Sequence, residues 1–461
     1  MKKPSFKSMI GLVIMMVASL SNVAHGQDFN GTWEGTVEAG VYSLTLVFHI
    51  EQTDQGVTFT WDSPDQGAFN LPATATITGN ELDVDIPDAY AKYKGTLEGN
   101  TLDGVFTQMG TNFTLRLTRK VGKDDNNRRP QEAAIEADNN KPYHAEEVTF
   151  TNDGITFAGT LTLPNSGNHF PAVVLIAGSG PHDRNEEVFN HKPFLVLADA
   201  LSRNGFAVLR YDERGVGATV GGNPLAPTEP LATDAMAALR YLKSRPEVDA
   251  TRAGLMGHSE GGMIAIMNAA KHPDEVPYIV SLAGTGVGGV ELGMQQVKLL
   301  GKAIGKEPDS AVLRLNEELF KIIAAEKDSV TLRNKMIAFY QDHPELLEEL
   351  GDKMTIDQLV DMTLITSCVI QYDPTENLKR VKCPMLAING MLDAQVACEE
   401  NLSAIKRLVP HATVKPYEGL NHFFQTCSGW LGSTQYAVIR ETMAPQVLED
   451  IVNWLQDVTR K

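Results

Sequence analysis

From Phe29 to about Leu117, apolar and polar residues alternate in short runs. Leu44, Leu46, Phe48 and Ile50 fall on one face of the run from Tyr42 to Ile50, and the same alternation recurs from Val57 to Trp61 and from Glu81 to Ile86. A period of two belongs to a strand with one buried face. Gly79-Asn80 and Gly99-Asn100 separate such runs as turn signals, so residues 27–118 are predicted to form a small antiparallel barrel or sandwich of seven or eight strands. Residues 119–145 are charged, amide-rich and without aliphatic period. They read as a linker.

From Glu146 the pattern changes. Val148 to Phe150 and Ile155 to Leu163 suggest an opening hairpin, and Ala172 to Ala177 is continuously apolar, as a strand buried on both faces must be. Helical and buried-strand patterns then alternate: Pro193 to Arg203 helical, Ala207 to Tyr211 strand, Thr233 to Ser244 helical, Ala253 to Met256 strand. That rhythm predicts a doubly wound, mostly parallel α/β sheet over residues 146–461. It breaks between about residues 288 and 373, where four helical patterns run consecutively, and resumes with Pro384 to Asn389. An all-helical insertion of this kind is expected to cap the ends of the strands, where sites lie in such sheets.

At 461 residues the chain exceeds one ordinary core, which stops growing near roughly 250–300 residues. Its first residues put Lys2, Lys3 and Lys7 before an apolar run from Met9 to Leu20, followed by Ala24 and Gly26. This is the order of a secretory signal over residues 1–26, cut before Gln27, and implies a periplasmic or secreted protein. The apolar run is short for a membrane span, which takes about 20 residues. The formal charge of −18 argues against nucleic acid and anionic membrane surfaces as partners. Cys368, Cys383, Cys398 and Cys427 are too few for a disulfide scaffold and lack the paired spacing of a zinc site; no metal or cofactor is expected.

The chemistry sits at strand ends. Gly257, Ser259 and Gly261 match G-x-S-x-G between the buried strand ending at Met256 and an apolar helical run from Met263. A strand-to-helix turn of this kind holds a serine nucleophile in a strained, exposed position. Such a hydroxyl needs a base, and the base needs an orienting acid. Asp393 follows the strand ending near Ile388, and His422 follows the strand Thr413 to Tyr417. His411 precedes that strand and falls at the wrong end of the sheet. Asp212 follows a strand too, but it comes before Ser259 and suits a bracing role. For the oxyanion, the backbone N–H of Glu260 and that of Ser179, with Gly180 as its alternative, are the expected donors. Cys398 and Cys427 each lie five residues beyond Asp393 and His422, which raises a disulfide between those two loops in an oxidising compartment as the alternative to two free, buried thiols.

These residues together resemble the α/β-hydrolase superfamily, and within it exported bacterial esterases akin to serine aminopeptidase-like hydrolases. The resemblance runs from Glu146 to the C-terminus through LIAGSGPHDRN, LRYDERGVG, GHSEGG, NGMLD and GLNHFF, in that order. Such proteins also carry a small β domain before the hydrolase domain. Where members often have Pro shortly after the acid, this chain has Ala397-Cys398. The resemblance implies hydrolysis of short-chain acyl or acetyl esters of small molecules through an acyl-enzyme. A peptidase with the same triad and a vestigial, binding-only hydrolase domain are the other readings, and the intact elbow argues against the last.

Overall fold

The computed structural model describes residues 29–460 apart from 40–41, 54–55, 64–67, 109, 121–128, 304–306, 345–354, 366, 431–435 and 437–438. The segment read as a secretory signal lies outside the described residues. Strands β1 (Gly31–Ala39), β2 (Tyr42–Thr53), β3 (Gly56–Ser63), β4 (Ala68–Pro72), β5 (Thr74–Thr78), β6 (Glu81–Ile86), β7 (Ala91–Glu98), β8 (Thr101–Gln108) and β9 (Thr111–Arg119) form one antiparallel sheet. Its order is β4-β3-β2-β1-β9-β8-β7-β6-β5. Ala73, the one residue between the end strands β4 and β5, donates its N–H to the Phe59 carbonyl of β3 at 3.4 Å, which brings the end of the sheet round beside β3 and leaves it nearly closed and barrel-like. Alternation explains the interior: Phe48 stands opposite both Trp33 and Trp61, and all three side chains are buried. The sheet holds nine strands rather than the seven or eight expected, because β4 and β5 are only five residues long and separated by a single residue.

Helix α1 (Pro130–Ala137) lies inside the stretch read as a linker. Its anchors are polar, which is why hydrophobic periodicity misses it. The buried Arg129 guanidinium donates to the carbonyls of Phe189, Asn190 and Ile439 at 3.0, 3.0 and 2.6 Å. Glu132 accepts from the Lys192 N–H and the Thr442 hydroxyl at 2.8 and 2.6 Å.

The second sheet comprises β10 (Tyr143–Asn152), β11 (Ile155–Pro164), β12 (Phe170–Ile176), β13 (Ala207–Tyr211), β14 (Val248–His258), β15 (Ile279–Leu282), β16 (Met385–Gly390) and β17 (Thr413–Tyr417). They run in the order β10-β11-β13-β12-β14-β15-β16-β17, antiparallel at the β10–β11 edge and parallel from β13 onward. This is the α/β-hydrolase fold. Helices α2 (Pro193–Arg203) and α12 (Pro445–Val458) cover one face. Helices α3 (Thr228–Ser244) and α4 (Glu260–Lys271) cover the other. Along β12, Ala172, Val174 and Ile176 therefore pack in one core and Val173 and Leu175 in the other, so the strand is apolar without alternation.

Between β15 and β16 the chain leaves the sheet for α5 (Gly289–Ala303), α6 (Ser310–Ala325), α7 (Ser329–Asp342), α8 (Ile356–Ile365), α9 (Ser367–Ile370) and α10 (Thr375–Leu378). Leu315, Leu319, Leu332, Met336, Phe339 and Val360 give these helices an apolar cluster of their own.

Candidate active site

Ser259 stands between the end of β14 and the start of α4, with φ 51° and ψ −113°. That left-handed φ is costly for a residue with a side chain and survives only where surroundings impose it. The imposing contacts are backbone ones. The Ser259 N–H donates to the Leu282 carbonyl at 2.8 Å, and the Ser259 carbonyl accepts from the Gly262 N–H at 3.0 Å. A Cβ at Gly257 would stand 2.0 Å from the Gly261 carbonyl carbon, and one at Gly261 would stand 2.1 Å from the Ile176 oxygen. Gly261→Ala should therefore destabilise the protein by about 3 kcal/mol or more, since backbone cannot yield as a flexible side chain does. In a thermal melt that is a loss of roughly 6–12 °C, and a midpoint within 2 °C of the parent contradicts this account of the turn.

The acid and base candidates arrive on neighbouring strands, β16 and β17. His422 Nδ1 lies 2.7 Å from Asp393 Oδ2, both side chains being almost wholly buried. The other carboxylate oxygen, Oδ1, accepts from the N–H groups of Gln395 and Val396 at 2.7 and 2.9 Å. The two loops are laced together by Leu392 N–H to the Leu420 carbonyl at 2.9 Å and Met391 N–H to the Tyr417 carbonyl at 2.8 Å. Gly390 permits this approach, because a Cβ there would meet the Leu420 oxygen at 2.3 Å. Around His422 the chain turns on Asn421, whose side-chain oxygen accepts from the N–H groups of Phe423 and Gln425, each at 3.0 Å.

The loop after β12 meets the nucleophile directly: a Cβ at Gly178 would touch Ser259 Cβ at 3.4 Å. Ser179 is exposed at this edge, and Glu260 begins α4. Asp212 is not paired with a histidine. Its carboxylate takes a two-pronged grip from Arg184 at 3.0 and 2.7 Å and a further bond from the Ala218 N–H at 2.9 Å, which braces this loop against the end of β13. His411 is exposed, with its Nε2 on the Cys383 carbonyl at 3.1 Å. From the helical insertion, the Cys368 thiol sits near enough to Thr228 and Glu260 to feel both; burial pushes it up first, and the Glu260 charge adds to that.

All four cysteines are free thiols, so the bond raised for Cys398 and Cys427 is not formed. Cys398 opens α11 (Cys398–Leu408) and turns its thiol toward the Asn389 carbonyl, at 3.6 Å. Equal offsets from two hydrogen-bonded residues do not align two loops of different course.

One pair went unread in the sequence. His258 Nδ1 lies 2.8 Å from Glu186 Oε1, and His258 Nε2 lies 3.1 Å from the His422 carbonyl. The same Glu186 oxygen accepts the Gly178 N–H at 2.7 Å. Burial opposes both charges, and their mutual attraction outweighs it, holding the Glu186 carboxyl below and the His258 imidazole above their usual ranges. The only hint in the sequence is that His258 directly precedes Ser259; Glu186 lies 72 residues away.

The protein-family model described as serine aminopeptidase, S33 matches residues 191–425. Esterase EstD of Thermotoga maritima is 28% identical over 281 residues, which are 60% of this chain and 60% of that protein. The chain thus matches less than two thirds of the length of that relative. Among solved structures, Est1E from Butyrivibrio proteoclasticus is 16% identical, with a TM-score of 0.41 over 68% of this chain and 99% of its own. A thermophilic esterase from Thermogutta terrifontis is 18% identical, with a TM-score of 0.40 over 68% and 100%.

Proposed function

The chain belongs to the serine aminopeptidase, S33 family of α/β hydrolases, and from that premise we propose that it hydrolyses carboxylic esters of small molecules through Ser259, His422 and Asp393. The observation that carries the reading is the buried 2.7 Å pair of His422 and Asp393 at the sheet edge that also presents Ser259. Asp393 holds the imidazole so that its free nitrogen serves as base, and Ser259 attacks the ester carbonyl to form an acyl-enzyme. The N–H groups of Ser179 and Glu260 stabilise the oxyanion, and water releases the acid. The same reading divides the chain into an export signal over residues 1–26, a β domain over 27–118, a connecting segment over 119–145 and a catalytic unit over 146–461 capped by about 288–373. Export places it in the periplasm or outside the cell. Among the described residues no helix is long and apolar enough to cross a membrane.

The name of the matching family keeps a second reading in play, cleavage of an aminoacyl amide by the same residues. The name of the Thermotoga relative favours esters. Assay of short-chain p-nitrophenyl esters beside aminoacyl anilides separates the two. The expected result is ester turnover with kcat/KM on anilides at least about 100-fold lower, a gap of about 2.7 kcal/mol in transition-state binding. Faster turnover of the anilides reverses the assignment.

A further inference from the structure

Three loops must hold still relative to one another for the proposed reaction: the Gly178–Ser179 turn after β12, the Ser259 turn after β14 and the His422 turn after β17. One carboxylate oxygen and one imidazole ring join all three. Glu186 Oε1 accepts from the Gly178 N–H at 2.7 Å and faces His258 Nδ1 at 2.8 Å; the ring's other nitrogen faces the His422 carbonyl at 3.1 Å. Both ring nitrogens thus face oxygens, and with the neighbouring ring holding the Glu186 carboxyl below its usual range, and so ionised, both nitrogens carry hydrogen to bond them. The ring is then an imidazolium and its partner a carboxylate, a buried ion pair with the two imidazole centroids of His258 and His422 4.7 Å apart. Among the described residues Glu186 Oε2 is buried without a hydrogen-bond partner, and the carboxylate's bonds to the site run through Oε1.

The backbone around Glu186 is built to present it. Glu186, Phe189 and Asn190 have φ of 50°, 51° and 58°, three left-handed non-glycine residues within five. Strain of that kind needs external support, and Arg129 supplies it from the segment before the catalytic unit by binding the Phe189 and Asn190 carbonyls. Neither Glu186 nor His258 is needed for the chemistry of a serine, a base and an acid.

We propose that Glu186 and His258 are positioning residues, a buried ion pair that locks the oxyanion turn, the nucleophile turn and the base turn into reacting register. The proposal rests on the triad reading above. Oxyanion donors act on the transition state more than on bound substrate, and misplacement by about 1 Å can cost about 100-fold. Loosening the lock should therefore lower kcat and spare KM.

The decisive variant is Glu186→Gln, which keeps the shape and an accepting oxygen but removes the charge that sustains the imidazolium. A neutral ring carries one hydrogen: either it releases one of its two acceptors, or the amide at position 186 turns its NH2 to Nδ1 and the Gly178 N–H loses its acceptor, so one of the three ties is lost in every case. Turnover of a p-nitrophenyl ester is measured per site titrated with a fluorophosphonate, so that misfolded protein is not counted. The expected result is a fall in kcat of about 10- to 100-fold with KM within about threefold of the parent. A kcat per titrated site within twofold overturns the proposal, as does a rise in KM at unchanged kcat. His258→Gln, which keeps one donor and one acceptor in place of the ring, is expected to show the same split. Ser259→Ala, run alongside, separates the two readings. Activity persisting in Ser259→Ala removes the triad, whereas a dead Ser259→Ala beside a fully active Glu186→Gln removes only the lock.

Discussion

Replacing Ser259 by alanine should lower ester turnover by about 10⁵- to 10⁶-fold while leaving the fold unchanged. The hydroxyl contributes no hydrogen bond on which the turn depends: the strained conformation at residue 259 is held by backbone bonds to Leu282 and Gly262 and by the close passage of Gly257 and Gly261. Alanine tolerates φ 51° as serine does. Circular dichroism and the melting midpoint should therefore match the parent, and fluorophosphonate labelling should vanish. Other hydroxyls lie near this edge, among them Thr228 and the exposed Ser179. The Thr228 hydroxyl is already committed to Glu260. Turnover within tenfold of the parent shows that Ser259 is not the nucleophile and moves the search to Ser179.

What the sequence revealed, and what it hid, divides along one physical line. Patterns that repeat within a strand or helix were readable. Ala172 to Ala177 is apolar at every position because helices cover both faces, and Tyr42 to Ile50 alternates because one face of the first sheet is its interior. The glycines around Ser259 were readable because the turn admits nothing larger. Features made by single polar contacts over long separations were not. Arg129 and Glu132 anchor α1 to residues 310 positions further on, and the stretch around them carries no period. Glu186 meets His258 across 72 positions through one oxygen, which no spacing rule encodes. The four-residue strand β15, fully buried between β14 and β16, is too short to show any period of its own. The free thiols of Cys398 and Cys427 teach the converse. Residues at equal distances from a hydrogen-bonded pair are near neighbours only if both chains leave that pair in parallel.

Replacing Asp393 by asparagine should cost about 10⁴-fold in kcat and little stability, and the reason lies in how the two carboxylate oxygens are used. Oδ1 accepts the N–H groups of Gln395 and Val396 at 2.7 and 2.9 Å, which shapes the turn after β16; Oδ2 alone meets His422 Nδ1 at 2.7 Å. An asparagine can keep its carbonyl oxygen in the Oδ1 position, so both backbone bonds survive, and its amide nitrogen then replaces Oδ2. That nitrogen is a donor and requires His422 to offer Nδ1 as an acceptor. The ring proton must move to Nε2, the nitrogen that in the proposed mechanism takes the proton from Ser259. The serine then faces an N–H instead of a base. Asp393 and His422 are both almost wholly buried, so bulk solvent has little access to the contact between them. Measured at neutral pH on a p-nitrophenyl ester, the variant should melt within a few degrees of the parent and turn over about 10⁴-fold more slowly. A loss smaller than tenfold means that the imidazole does not depend on residue 393 for its tautomer, and Asp393 is then not the acid of this site.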